Sequence, residues 1–282
     1  MGNEIIIKDE IERLGFDQKE FQIYDPEASE KRNAYADAFF RKRSRKGATL
    51  KDTKNLMKKP NYFGSMMVEL GEADALISGL TTSYPTTIRP ALQCVGMKQG
   101  VKVVSGLYIV FAKQDVYFFA DTTVNVNPNV EQLAEIAIST ADTVKAFDVV
   151  PKIAMLSFSN FGSAPYPESI KVKQATELIK KLRPDLMVDG EMQADTAVVP
   201  EIIESEFPFS ALKGKPNILI FPDLNSGNIA YKLMARIGQA SVVGPILMGM
   251  NKTIHVLQRG ASVDDIINMT AIAVADAGSK KK

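Results

Sequence analysis

The feature that most constrains this chain is a regular alternation of short apolar runs with longer segments whose apolar residues recur at helical spacing. The runs are Ala73–Ile77, Val101–Phe111, Val116–Ala120, Lys152–Leu156, Leu186–Val188, Asn217–Phe221 and Ser241–Val243. Between them lie Ile88–Val95, Val130–Phe147, Glu168–Leu182, Thr196–Glu204 and Ala230–Ile237. Short apolar runs suit strands buried on both faces, and the helical period suits the elements that cover them. The alternation therefore predicts an α/β architecture of mainly parallel sheets with helices on both faces. Ahead of it, Glu27–Leu70 reads as a helical region broken by Gly47 and Pro60.

Pro151 and the preceding Phe147–Val150 mark the expected lobe boundary, with a return crossing near Met250–His255. This gives a first lobe of 1–147 completed by 252–282 and a second of 148–251, each a three-layer α/β/α sandwich. In open parallel sheets ligands sit beyond the carboxyl ends of the strands. An inter-lobe cleft is accordingly expected between Arg89 and the Asn225 loop.

Composition removes several classes of function. Lys plus Arg number 34 and Asp plus Glu 33, a net charge of +1, so no nucleic-acid partner is expected. Cys94 is the single cysteine, which excludes an internal disulfide framework and fits a reducing compartment. Lys8, Asp9 and Glu10 interrupt the first apolar run, so no signal peptide is expected, and no run approaches the roughly 20 residues that span a bilayer. A cytoplasmic protein without a membrane partner is expected. Without a G-x-G-x-x-G fingerprint, a Walker loop or a metal-spaced His/Cys/Glu cluster, nothing supports nicotinamide, ATP or metal chemistry, and no cofactor is expected. The terminal Lys280-Lys281-Lys282 is expected to lack regular structure.

Three constellations carry chemistry. The loop Ser78–Thr87 follows a buried run and leads into a helix bearing Arg89; hydroxyls, backbone N–H groups and a guanidinium together suit a phosphate. After Asn217–Phe221 and Pro222, the residues Asp223, Asn225, Ser226 and Asn228 fall at a helix start, either as a simple N-cap or as an anion site. Gln258-Arg259-Gly260 precedes Asp264 and Asp265, carboxylates that can serve as dipole partners of the helix Ile266–Val274. His255 and Cys94 read as structural, and Arg41–Lys46 as a helix end whose positive charge complements the dipole.

The segments FPDLNSGNIAYK (Phe221–Lys232), GPILMG (Gly244–Gly249) and RGASVDDI (Arg259–Ile266) resemble the phosphate acetyltransferases, which pass an acyl group between coenzyme A and inorganic phosphate. FFADTTVN (Phe118–Asn125), MLSFSNFGS (Met155–Ser163), DGEMQADTAVVPE (Asp189–Glu201) and HVLQRG (His255–Gly260) resemble a subset of that family. That subset is the C-terminal phosphotransacetylase-like domain of bacterial NADP-dependent malic enzymes. The resemblance implies a phosphotransacetylase-like fold and a dimer. It assigns Thr81, Thr82, Ser83 and Arg89 to the phosphate or acyl-phosphate site, Asn225, Ser226, Asn228, Gln258 and Arg259 to ligand contacts, and Asp265 to the position of the general base. Gln258 stands where an active member carries the serine of Ser-Arg-Gly. The resemblance thus implies an acetyl-CoA-binding allosteric regulatory domain without transferase activity, its malic-enzyme catalytic half and first strand–helix unit left out. The alternative is an active phosphate acetyltransferase.

Overall fold

A computed structural model describes Met1–Lys280 and divides into two compact units. One unit comprises Met1–Gly96, Asn251–Gly260 and Ala273–Lys282, the other Met97–Met250 and Ala261–Ile272. Lys281 and Lys282 of the basic tail lie outside the described residues.

The first unit opens with α1 (Glu4–Arg13), capped by Asn3, whose side chain accepts the Ile6 N–H at 3.1 Å. The helical region resolves into α2 (Arg32–Arg43), α3 (Leu50–Leu56) and α4 (Pro60–Glu69). Gly47 closes the turn after α2 in the left-handed region, at φ 87°. Thr49 caps α3 by accepting the Asp52 N–H at 3.1 Å, and Pro60 opens α4 where its missing N–H has no helical partner to lose. Tyr35, Phe39, Tyr62, Phe63 and Met66 of these helices form one apolar cluster with Cys94. Cys94 closes α5 (Tyr84–Cys94), which follows β1 (Ala75–Ser78).

The second unit is built on β2 (Ser105–Ala112), β3 (Asp115–Ala120), α6 (Val130–Lys145), β4 (Lys152–Leu156), α7 (Pro167–Leu182), β5 (Met187–Met192), α8 (Ala194–Val198), α9 (Pro200–Glu206), β6 (Ile218–Ile220), α10 (Leu224–Arg236) and β7 (Ser241–Met248). Its sheet has the order β5-β4-β6-β3-β2-β7; β5, β4, β6 and β3 run parallel, while β2 pairs antiparallel with β3 and β7. Alternate strand residues face opposite sides. Tyr108, Tyr117, Phe119, Leu156 and Leu219 pack with Ala197, Ile203 and Tyr231 of α8, α9 and α10. The other face meets α6 and α7, completing three layers.

The chain then returns to the first unit in β8 (Thr253–Val256), parallel to β1 with Ala75 opposite Thr253 and Ser78 opposite Val256. The last helix, α11, spans Val263–Lys280. Among the described residues no helix is long and apolar enough to cross a membrane.

The architecture agrees with the expected mainly parallel α/β class, with local differences. The first lobe was expected to extend to residue 147, but 97–147 belong with the second unit, because β2 and β3 are hydrogen-bonded into the six-stranded sheet. Pro151 therefore marks only the turn between α6 and β4. Thr196–Glu204 reads as one helix but is two, because Pro200 drives Val199 out of the helical region to φ −113°, ψ 95°. Thr253–Val256 reads as a crossing and is a strand, too short to give a period of its own.

Candidate functional site

In the first unit β1 and β8 are parallel neighbours, so the segments that follow them, 79–83 and 257–260, leave the same end of the pair. Topology thus brings Thr81, Thr82 and Ser83 to the same strand end as Gln258 and Arg259. The Leu257 N–H donates to the Ser78 carbonyl at 2.7 Å. Gly79 allows the close approach: its φ is 121°, and a Cβ there would stand 2.5 Å from the Leu257 oxygen.

The loop is held by its own hydroxyls. Thr82 Oγ1 pairs with Thr87 Oγ1 at 2.9 Å and Ser83 Oγ with Thr86 Oγ1 at 2.7 Å. Each such pair uses one hydroxyl hydrogen and leaves the other to donate, which keeps the loop able to meet an anion. Beneath it, Ser78 Oγ donates to Asn61 Oδ1 at 2.6 Å. Asn61 Nδ2 in turn donates to the Thr86 carbonyl at 3.4 Å. Pro90 cannot bond that carbonyl as the residue four places on ordinarily would. Thr81, Arg89, Gln258 and Arg259 are exposed. Burial raises the Tyr62 hydroxyl above its ordinary pKa, and its O–H donates to Gln93 Oε1 at 2.6 Å on the helix that bears Arg89.

In the second unit, the residues after β6 settle one half of the N-cap question. Asp223 is the cap: its carboxylate accepts the Ser226 N–H at 2.9 Å, and Ser226 Oγ donates back to the Asp223 carbonyl at 2.9 Å. Asn228 Nδ2 donates to the Thr122 carbonyl at 3.1 Å, tying α10 to the loop after β3, while Asn225 is exposed. Gly227 is buried against the Asp121 carbonyl, where a Cβ would clash with backbone. Asp265 forms a capping box with Ser262, accepting its N–H at 2.8 Å and its hydroxyl at 2.9 Å.

The bland readings of two residues agree with their surroundings. Burial pushes the Cys94 thiol up to about 12, far from a thiolate nucleophile. His255 is buried within β8, its Nε2 3.9 Å from Asp276 Oδ2. Among the described residues no group of three or more His, Cys, Asp or Glu could hold a metal ion.

Sequence reasoning missed the buried carboxylates, two of which order loops at strand ends. Asp121, 2% exposed, follows β3 and accepts the N–H groups of Gly106, Thr123, Val124 and Asn125 at 2.8–3.2 Å, with Asn125 Nδ2 at 2.5 Å. Glu191, 1% exposed, organises the loop after β4 through Ser159 Oγ at 3.1 Å and the Gly162 N–H at 2.5 Å. The signal was present in FFADTTVN and DGEMQADTAVVPE: an acidic residue inside or ending an apolar run needs donors if it is buried.

Comparison with known proteins places the chain. Residues 1–274 match the family described as phosphate acetyl/butaryl transferase. The phosphate acetyltransferase of Clostridium acetobutylicum is 41% identical over 284 residues, covering 98% of this chain and 85% of that protein. The phosphate acetyltransferase of Bacillus subtilis is 42% identical over 277 residues, with the same 98% and 85% coverage. Among solved structures, a phosphotransacetylase from Streptococcus pyogenes superimposes with a TM-score of 0.94 at 41% identity, over 99% of this chain and 85% of that one. These relatives overturn the expectation of an allosteric regulatory domain joined to a malic-enzyme partner in the same chain. They are phosphate acetyltransferases in their own right, aligned along nearly all of this chain. The overturned expectation rested on Gln258-Arg259-Gly260 and on four segments that resemble the malic-enzyme subset, whereas the match to phosphate acetyltransferases runs along 98% of the chain. The chain belongs to the phosphate acetyl/butaryl transferase family.

Proposed function

We propose that the protein is a phosphate acetyltransferase acting in the cytoplasm on acetyl-CoA and inorganic phosphate. The observation that carries this reading is its 41–42% identity to phosphate acetyltransferases along 98% of its length. In the reaction a phosphate oxygen attacks the thioester carbonyl carbon, the new C–O bond forms as C–S breaks, and the departing thiolate takes up a proton. The products are acetyl phosphate and coenzyme A.

Within the first unit, Thr81, Thr82, Ser83 and Arg89 are the proposed anion holders. The support is chemical: a guanidinium and hydroxyls with hydrogens to spare match phosphate oxygens. Arg259 is the proposed charge partner of the oxyanion or phosphate. Gln258, exposed after β8, offers amide N–H donors where the resemblance puts a serine hydroxyl, so oxyanion stabilisation does not depend on serine. In the second unit Asn225, Ser226 and Asn228 are the proposed ligand contacts, and Asp265 the proposed proton acceptor.

The test is phosphate-dependent release of coenzyme A from acetyl-CoA by the purified chain. Turnover on the order of 1 per second or faster is expected. Binding of acetyl-CoA with no phosphate-dependent release would overturn the transferase reading. Gln258→Ala is expected to lower kcat roughly a hundredfold, the loss typical of one oxyanion donor. Unchanged kcat would remove Gln258 from the mechanism.

A further inference from the structure

Lys171 lies in the first turns of α7, half-buried, in the second unit. Its Nζ donates to Asn127 Oδ1 at 2.9 Å and to the Pro222 carbonyl at 2.9 Å. Asn127 belongs to the segment between β3 and α6, and Pro222 to the turn between β6 and α10. β3 and β6 are parallel neighbours, so one ammonium ties together two loops leaving the same end of the sheet. The same two loops meet again where the Leu224 N–H donates to the Val126 carbonyl at 3.1 Å, and where Asn228 reaches Thr122.

Burial lowers the pKa of Lys171, while Asp223 and Glu168 act to raise it. The charge is thus held against a desolvation cost, which makes it a poor source of stability. A bridge between two loops is a role that such an ammonium does perform, since it has three donors to distribute.

We propose that Lys171 is a positioning residue that fixes the β6–α10 turn, and with it Asn225 and Asn228, in the geometry that receives the ligand. The ligand's identity rests on the phosphate acetyltransferase reading; the tether itself does not. The full chain carrying Lys171→Met, Lys171→Arg or, as a control, Lys173→Met is compared with the unaltered protein. Three quantities are measured: hydrogen exchange at the Leu224 and Ser226 amides, melting temperature, and the kinetics of coenzyme A release. Lys171→Met is expected to speed exchange at both amides at least tenfold and to lower kcat/KM by about a hundredfold, the scale of a misplaced contact. The melting temperature should move by no more than about 3 °C. Lys171→Arg should recover most of the activity, and Lys173→Met should match the unaltered protein. Unchanged exchange in Lys171→Met overturns the tether. Faster exchange with unchanged kinetics overturns its role in ligand placement. An unaltered protein that releases no coenzyme A would sink the transferase reading instead, and exchange in Lys171→Met would still decide the tether.

Discussion

Two loops of this protein follow parallel strands, and they are ordered by opposite means. In the first unit the segment after β1 is held by hydroxyls paired with one another, half-buried Thr82 with buried Thr87 and half-buried Ser83 with exposed Thr86. In the second unit the segment after β3 is wrapped around a buried carboxylate, Asp121, whose two oxygens accept five donors. The exposed Ser83–Thr86 pair exchanges with water at little cost, so the tip of the first loop can rearrange around an anion. A buried carboxylate cannot give up its donors without a large desolvation penalty, so the second loop is pre-organised. One region is built to adapt and the other to stay fixed.

The sharpest way to break this contrast is to remove the buried acceptor. Asp121→Ala strands four backbone N–H groups and leaves the Asn125 amide only its bond to the Val104 carbonyl, and is expected to cost about 3 kcal/mol or more. Urea denaturation measures it. A loss under about 1 kcal/mol would show that the loop is as adaptable as its counterpart. Next comes Arg259→Ala in the first unit: kcat/KM should fall about a hundredfold while the urea midpoint stays put, because the side chain is exposed. A shifted midpoint would mean the arginine supports the fold rather than the ligand.

The pH dependence of stability extends the comparison to a third carboxylate. Burial acts to raise the pKa of Asp189, but Lys180 at 2.6 Å, the Ala211 N–H at 2.7 Å and Ser210 Oγ at 2.9 Å outweigh it and hold the pKa below the ordinary 3.8. A carboxylate with a depressed folded pKa contributes stability that is present above its unfolded value and is lost as pH falls through the folded one. Asp189→Asn should therefore lower stability at pH 7 by about 1.5 kcal/mol, the scale of a hydrogen bond to a charged group, and flatten the loss on acidification below pH 3.8. An unchanged acid limb would rule the group out. The smallest effect belongs to Thr82→Val, which breaks one hydroxyl pair: about 0.5 kcal/mol in stability, with any loss of activity appearing in KM for phosphate. A kcat loss of tenfold at unchanged KM would contradict a loop that only binds.

The chain's own pattern determined the α/β class, because strand and helix periods are local and survive without tertiary knowledge. It also marked most of the elements, including the breaks at Gly47 and Pro60, where backbone chemistry acts at the residue itself. It pointed to Thr81–Ser83 and Arg89 as chemistry-bearing, and to Gln258 and Arg259 by resemblance. Tertiary structure decided what locality cannot express. Residues 97–147 join the second unit because their strands find partners there, a pairing no periodicity encodes. β8 exists because β1 lies beside it, and that adjacency brings the segments carrying Thr82 and Arg259 to one strand end. Ser226 bonds back to the cap Asp223, Asn228 to Thr122 and Asp265 to Ser262, contacts set by which neighbour comes within hydrogen-bonding reach. How Asp121 gathers its donors, and which two loops Lys171 joins, depends on neighbours that only the folded chain supplies, because a polar side chain taken out of water must find partners there.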